Sequence, residues 1–565
     1  MSKKIRLSQK KDHILHTNQN GFIMQAGILA AASIICRIIG LLYKSPLTVI
    51  IGDEGNGYYS TAYTIYTIIL LVSSYSIPSA MAKVLAQKLA LKEYRNAQRI
   101  FLCALIYVMG VGGVASLILY FGAPLLVMGN SIPVLRVFAP TIFIYGILGV
   151  LRGYFQAHGT MIQTSVSQIL EQILNAVVSI GAAYFMIQLA VDAQKATSVQ
   201  AMYGAMGSAL GTGFGVLASM LFLIGIYWIN RKGIQKRIAY DETKKVDSWG
   251  KIFRLILSVV TPFILSTCIY NLTTSLNQTL YLKMMIGLKG MDEIRATTEY
   301  GIFAQKAVTI SNIPIALASA MSSAIIPTIA AAYEKKAVKE TGKKVAAAIK
   351  VTMLLSIPAA VAIGILAKPI VWILFPQKES LDLAASLLRG LSITVVLYGL
   401  STLTNAVLQG IGKVNVPVIN ALISLIIQTA VLVPVLCYTE GGIRGVMLAT
   451  VVYSLMMCLL NNLFLCKYLK YKQELDRTFI RPLFASVFMA AVAYGIYHGL
   501  FWLLGKVLAS VYFVNLIAFA VAALMGVLLY MILIIKLRAV RAAELKKMPK
   551  GDFLFKMAKK LRLLS

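Results

Sequence analysis

Five ionisable side chains stand out within long apolar stretches of this sequence. Arg37, Arg136, Lys306 and Arg389 are cations, and Glu171 is the one carboxylate among them. An ionised group in hydrocarbon costs about 2.5–3.5 kcal/mol on insertion scales, so each is expected to meet a partner, a water-filled cavity or a ligand. Such a set can bind and neutralise charge. An excess of cations suits an anion in transit, and arginine matches phosphate oxygens through paired, charge-assisted hydrogen bonds.

Each residue also has a plainer reading. Arg37 lies about sixteen residues into its stretch, roughly 24 Å along a helix, where it either lines a cavity or snorkels to the interface beside Lys44. Arg136 and Arg389 each sit a few residues inside a helix start, and Lys306 follows Tyr300-Gly301, so the same two readings apply. Glu171 could neutralise an arginine, bind a coupling cation or, protonated, join two helices. Asp53 and Glu54 stand between glycines in the first outer connection, as a solvated turn or a charge-balancing pair.

Constellations for bond-making chemistry are missing. The histidines are His13, His16, His158 and His498, with no HExxH, no GxSxG and no carboxylates paired within a span. The six cysteines fall within or at the ends of apolar runs, without metal-ligand spacing. Neither an enzyme nor a bound metal or cofactor is expected. Gly207-x3-Gly211-x3-Gly215 lacks the strand and acidic residue of a dinucleotide fingerprint and reads as a surface for close helix packing.

The elements that must position these residues are membrane helices. Of 565 residues 59% are hydrophobic and 13% charged, and the mean hydropathy is +0.78. Continuous apolar runs of about twenty residues recur throughout, the length that crosses about 30 Å of hydrocarbon. They do not alternate as barrel strands would. The runs predict an all-α polytopic protein with about fourteen spans, among them 21–43, 58–82, 133–157, 253–285 and 299–332.

The net charge of +33 concentrates in the tails and the even-numbered connections. This asymmetry places both termini in the cytoplasm and suits anionic lipid headgroups as partners, with no call for nucleic acid. Leu135-Arg136 falls on Leu388-Arg389 at an offset of 253 residues, and Gln156-Ala157-His158-Gly159 falls on Gln409-Gly410-Ile411-Gly412 at the same offset. Two halves related by a parallel repeat follow. The expected plan is a basic tail (1–20), an N-lobe of six spans (21–229), a linker (230–252), a C-lobe of six spans (253–466), a two-span appendix (467–538) and a second basic tail (539–565).

Cys36-Arg37-Ile38-Ile39-Gly40-Leu41, followed by Ile50-Ile51-Gly52-Asp53-Glu54-Gly55-Asn56-Gly57-Tyr58, resembles the opening of the MurJ/MviN and SpoVB-type polysaccharide exporters of the multidrug/oligosaccharidyl-lipid/polysaccharide (MOP) superfamily. Leu151-Arg152-Gly153-Tyr154-Phe155-Gln156-Ala157-His158-Gly159 and Tyr300-Gly301-Ile302-Phe303 with Ile313-Pro314-Ile315-Ala316 are similar to later segments of that group. The resemblance implies two six-helix lobes in a V with two extra C-terminal helices, in the bacterial cell membrane. It implies a monomeric flippase for lipid II, with Arg37 matching a cavity-lining arginine. Lys44 is one residue out of register with the second first-span cation, and Asn277 stands where some relatives carry an acid. Energy would come from the membrane potential or from a coupling Na⁺ or H⁺. The alternatives are flipping of another polyprenyl-linked glycan (capsule, teichoic acid, a sporulation-specific precursor), MATE-type drug/cation antiport and membrane-embedded glycosyl transfer.

Overall fold

The computed structural model describes the backbone of residues 2–75, 77–239, 241, 246–334, 337–469 and 473–540. It describes their side chains apart from 2–27, 30, 75, 79, 90, 237, 259–271, 320–328, 330–331 and 334. The linker residues 240 and 242–245 and the tail beyond 540 therefore lie outside the described residues, as do the side chains of the first tail. The described residues form helices joined by short turns, with no strand. In hydrocarbon no water satisfies the backbone, and a helix closes its hydrogen bonds within one segment.

Twelve helices among the described residues are long and apolar enough to cross a membrane. Two features separate that number from the fourteen spans of the sequence. The first two predicted spans run together in α1 (Ser2–Leu70), which continues through a π-helical turn (Leu71–Tyr75) into α2 (Ile77–Ala90). The seventh falls on α7 (Trp249–Gly287), whose central side chains are outside the description. α1 breaks at Gly52, where φ 71° and ψ 177° suit a residue without a Cβ. Asp53 and Glu54 are thus not in a solvated loop. They open the helical segment after the break, where carboxylates favour the positive end of the helix dipole.

The chain divides into two compact units. Unit 1 comprises residues 1–276 and 293–301, and unit 2 comprises 277–292 and 302–565. Unit 1 is built on α1, α2, α3 (Tyr94–Leu126), α4 (Ser131–Ala157), α5 (Met161–Asp192) and α6 (Thr197–Ala239), with α8 (Glu293–Gly301) against the second half of α1. The tightest of these pairs is α5 with α6, and the glycine series explains it. A Cβ on Gly207 would lie 2.5 Å from the Ala183 backbone, and one on Gly215 would lie 2.6 Å from the Glu171 carbonyl. One on Gly211 would overlap the Ser179 hydroxyl. The series is a packing surface, as read from its spacing.

Unit 2 follows a π-helical turn (Ile302–Val308) with α9 (Thr309–Glu334), α10 (Val338–Ile365), the short α11 (Ala367–Leu374), α12 (Leu381–Gly410), α13 (Asn415–Tyr438) and α14 (Ile443–Leu469). The C-terminal hairpin of α15 (Arg481–Leu504) and α16 (Val511–Lys536) docks on α10 and α11 through apolar packing around Leu354 and Leu366 and through tyrosine hydrogen bonds. Tyr530 donates to the Leu354 carbonyl at 2.8 Å, and Tyr512 donates to the Ile373 carbonyl at 3.1 Å. The repeat noted in sequence has a geometric counterpart. α4 and α12 both terminate on glycines with positive φ, Gly159 at 74° and Gly412 at 80°. Their N–H groups reach back to Gln156 and Gln409, each at 3.0 Å.

The segment between α6 and α7 is strapped to the start of α3 within unit 1. Asp241 accepts from the Arg95 N–H at 2.6 Å, and Asn96 accepts from the Asp247 N–H at 2.9 Å. Lys88 bridges Glu93 (2.7 Å) and Asp247 (3.1 Å). The Lys88 hydrogen bond, with help from Asn96, holds the Glu93 carboxyl below its ordinary value, and Lys251 followed by Lys88 does the same for Asp247. Partial burial works against charge on Lys88, but the two carboxylates outweigh it and raise its pKa.

Two predictions follow from this packing. Gly211→Ala is expected to cost about 1–3 kcal/mol through overpacking, whereas a Cβ on Gly225 of the same helix meets nothing within 4 Å, so Gly225→Ala is expected to be silent. Thermal unfolding in detergent compares them. The strap has carboxylates with lowered pKa, so its stability is present above their free values of 4.5 and 3.8 and is lost as pH falls below them. The Lys88 contribution is present below 10.5 and is lost above it. Amide exchange at residues 246–252 should therefore stay slow at neutral pH and accelerate below about pH 4.

Candidate functional site

In unit 1 the decisive contact is an ion pair that the sequence reading did not resolve. Arg152 on α4 donates from Nη2 to Glu171 Oε2 on α5 at 2.7 Å, and from Nε to Ser167 Oγ at 3.0 Å. The Ser219 hydroxyl of α6 donates to the Ser167 carbonyl at 2.7 Å. Three helices are tied at one level. The Arg152 side chain is 7% exposed and that of Glu171 is 24% exposed, so the carboxylate covers the cation. Glu171 thus neutralises an arginine, the first of its three readings. Arg152 adds a buried cation to the four in-span cations counted from sequence. It was passed over because it stands near the end of its span, though it and Glu171 both lie within about ten residues of the same turn.

The remaining sequence candidates separate into engaged and open groups. Arg136 donates from Nε to the Tyr120 carbonyl at 3.3 Å and lies 5.6 Å over the Tyr120 ring, which binds α4 to α3. Lys306, in the π-helical turn, is 1% exposed and donates to Gln377 and to Ser380 Oγ (2.6 Å). Glu54 accepts from the Tyr58 hydroxyl at 2.7 Å, and Asn130 donates to that hydroxyl at 3.2 Å. Lys44 is half-buried on α1, and Asp53 is half-buried after the Gly52 break.

Arg37 and Arg389 differ from all of these. Both are exposed side chains on apolar helices, and among the described residues neither guanidinium has a hydrogen-bond or ion-pair partner. Arg37 precedes by one turn the point where α1 meets α5, at Gly40 and Gln172. In unit 2, Asn277 accepts from Gln428 at 2.6 Å, and Asn461 links Asn420 (2.9 Å) to Asn405 (2.7 Å). Asn277 is therefore paired with a neutral amide. Among the described residues no cluster of three or more His, Cys, Asp or Glu could hold a metal.

Comparison with known proteins places this arrangement. Residues 23–333 match the polysaccharide biosynthesis protein family, more than half of the chain. The chain belongs to that family. Residues 304–435 of this polysaccharide biosynthesis protein also match MatE. It is 24% identical to the lipid II flippase MurJ of Bacillus subtilis (strain 168) over 82% of its own length and 86% of the relative's. It is 24% identical to stage V sporulation protein B of the same organism over 94% and 98%. Its fold matches a solved lipid II flippase MurJ in an inward closed conformation, with a TM-score of 0.63 and 14% identity over 89% of this chain and 97% of that one. The family member described here is a multi-pass bacterial cell-membrane protein, and the relatives it resembles include lipid II flippases.

Breaking the ion pair tests its weight. Removing one partner of a fully buried pair costs about 3–5 kcal/mol, and the partial exposure of Glu171 reduces that to roughly 2–3 kcal/mol for Arg152→Met. The Arg152→Met/Glu171→Leu double variant should regain most of the loss in thermal unfolding. A double variant no more stable than Arg152→Met would show that the pair is not the interaction that matters.

Proposed function

We propose that this chain is an alternating-access flippase that exports the lipid-linked peptidoglycan precursor, lipid II, to the outer leaflet. The observation that carries the reading is the state of Arg37 and Arg389. A guanidinium on an apolar helix is expensive to keep. Arg152, Arg136 and Lys306 are, by contrast, engaged within the protein. Two arginines, one in each unit, keep their donors available. A pyrophosphate diester offers oxygens at the spacing a guanidinium fork binds.

The sequence similarity to a lipid II flippase over most of both chains supports the choice of substrate. Drug/cation antiport would call for carboxylates facing the ligand, and Glu171 is already neutralised. The membrane potential supplies a drive for an anionic substrate, about 2.3 kcal/mol per elementary charge per 100 mV when the inside is negative. A coupling Na⁺ or H⁺ is not needed on that account. Another polyprenyl-linked glycan is the second reading, favoured by the match to stage V sporulation protein B along nearly its whole length.

Complementation tests the reading. In a host depleted of its lipid II flippase, expression of this chain is expected to restore growth and outer-leaflet lipid II. Arg37→Ala and Arg389→Ala should each reduce transport about 10- to 100-fold, the loss of a charged hydrogen bond of about 1.5–3 kcal/mol, with unchanged membrane abundance. Absence of rescue by well-expressed protein would move the substrate to another polyprenyl-linked glycan. Rescue undiminished in both variants would overturn the cationic mechanism.

A further inference from the structure

At the end of unit 1 that carries the basic connections, the start of α3, the ends of α4 and α6 and the start of α5 enclose a cavity of about 250 Å³. Its chemistry contrasts with its surroundings. Lys88, Arg95, Arg99, Arg231 and Lys232 crowd this end of the sequence, yet no Asp, Glu, Lys or Arg is among the described lining residues. The wall instead presents the rings of Tyr94, Tyr154 and His158, with the side-chain amides of Gln98, Gln163 and Asn230. A basic membrane surface that leaves one polar cavity uncharged is not built there for phosphate.

We propose that this cavity is a binding site for one pyranose ring. The volume is below the roughly 300–1,000 Å³ typical of drug-sized ligands, which limits the occupant to about a monosaccharide. Aromatic faces carry negative charge density and accept the weakly positive C–H face of a sugar ring; Tyr94 and His158 bring half-buried rings to this wall, and the buried Tyr154 backs His158 with ring centroids 4.4 Å apart. Amides offer both donors and acceptors to hydroxyls that present both. Gln163 has a buried Oε1 that receives no hydrogen bond in the protein, and an orphaned acceptor of this kind is costly. A ligand hydroxyl entering beside it is the donor that the protein does not provide. Gly233 keeps the cavity open from α6, since a Cβ there would meet nothing within 4 Å.

The proposal deepens the flippase reading and rests on it for the role of the sugar, which would be the glycan of the lipid-linked substrate. It gives that glycan a contact separate from the arginines. Sugar binding itself is testable without transport.

Saturation-transfer NMR on the purified chain in nanodiscs, with free N-acetylglucosamine and glucose as probes and adenosine as control, decides it. Transfer is expected from a sugar at millimolar concentration and not from adenosine. Gly233→Leu, which adds a side chain at a lining position where a Cβ meets nothing within 4 Å, should weaken it at least tenfold. Gln163→Leu should weaken it as well, and Gly225→Leu, elsewhere on α6, should leave it intact. No transfer from either sugar, transfer from adenosine alone, or equal sugar binding in Gly233→Leu would overturn the site. Sugar binding that persists while complementation fails would retire the lipid II reading and leave the cavity standing. Complementation with no sugar binding would do the reverse.

Discussion

A charge held in hydrocarbon must be answered locally, because the bilayer core offers no water to do it. Several of this molecule's helix–helix fastenings follow from that one constraint. Arg152 is answered by Glu171 and two serine-linked helices, and in being answered it fastens α4, α5 and α6 at one level. Lys306 is answered by an amide and a hydroxyl, which hold the π-helical turn of unit 2 against the start of α12. Arg136 is answered by a carbonyl and an aromatic face of α3. In each case the response to a stranded charge is also a helix–helix fastening, so these cations are structural first.

Close backbone approach is the second means of fastening, and it works where charge is absent. Lipid supplies little hydrophobic drive for helix association, so contact area and small residues must supply it. The glycines of α6 let that helix lie directly on α5, and the Ser179 hydroxyl then reaches the Ser208 carbonyl at 3.0 Å. That contact keeps α5 in register, and the register puts Glu171 opposite Arg152. Glycine spacing and charge pairing are therefore two parts of one device. Shifting α5 by a single residue would rotate the carboxylate off the arginine by about 100°.

The helical class, the number of apolar runs to within the two that the structure joins or leaves undescribed, and the packing role of the glycine series were all legible in the sequence. These depend on composition and on residues close together along the chain. What the sequence concealed depends on pairs far apart. Asp53 and Glu54 looked like a loop because glycine and acid together signal a turn. A single positive φ at Gly52 instead bends a continuous helix around them. Arg152 looked like the end of a span, and only the α4–α5 hairpin shows that its side chain reaches inward to Glu171. Span counting weighs each charge singly, so it cannot tell a compensated cation from an open one.

The repeat sharpens this distinction. Arg136 and Arg389 occupy corresponding places in two halves whose helices even end on matching glycines, Gly159 and Gly412. Their side chains nonetheless meet different fates, one stacked on Tyr120 and the other exposed. A repeat fixes where along a helix a charge is placed, but the neighbouring helix decides whether it is consumed. In unit 1 that neighbour takes Arg136, and Arg37 on α1 is the cation left open; in unit 2 the repeat arginine itself is left open. Among the sequence candidates, each unit thus keeps one arginine with no partner among the described residues, by a different route. An arrangement reached twice from different positions points to a requirement for the charge itself, which is what an anionic cargo would impose.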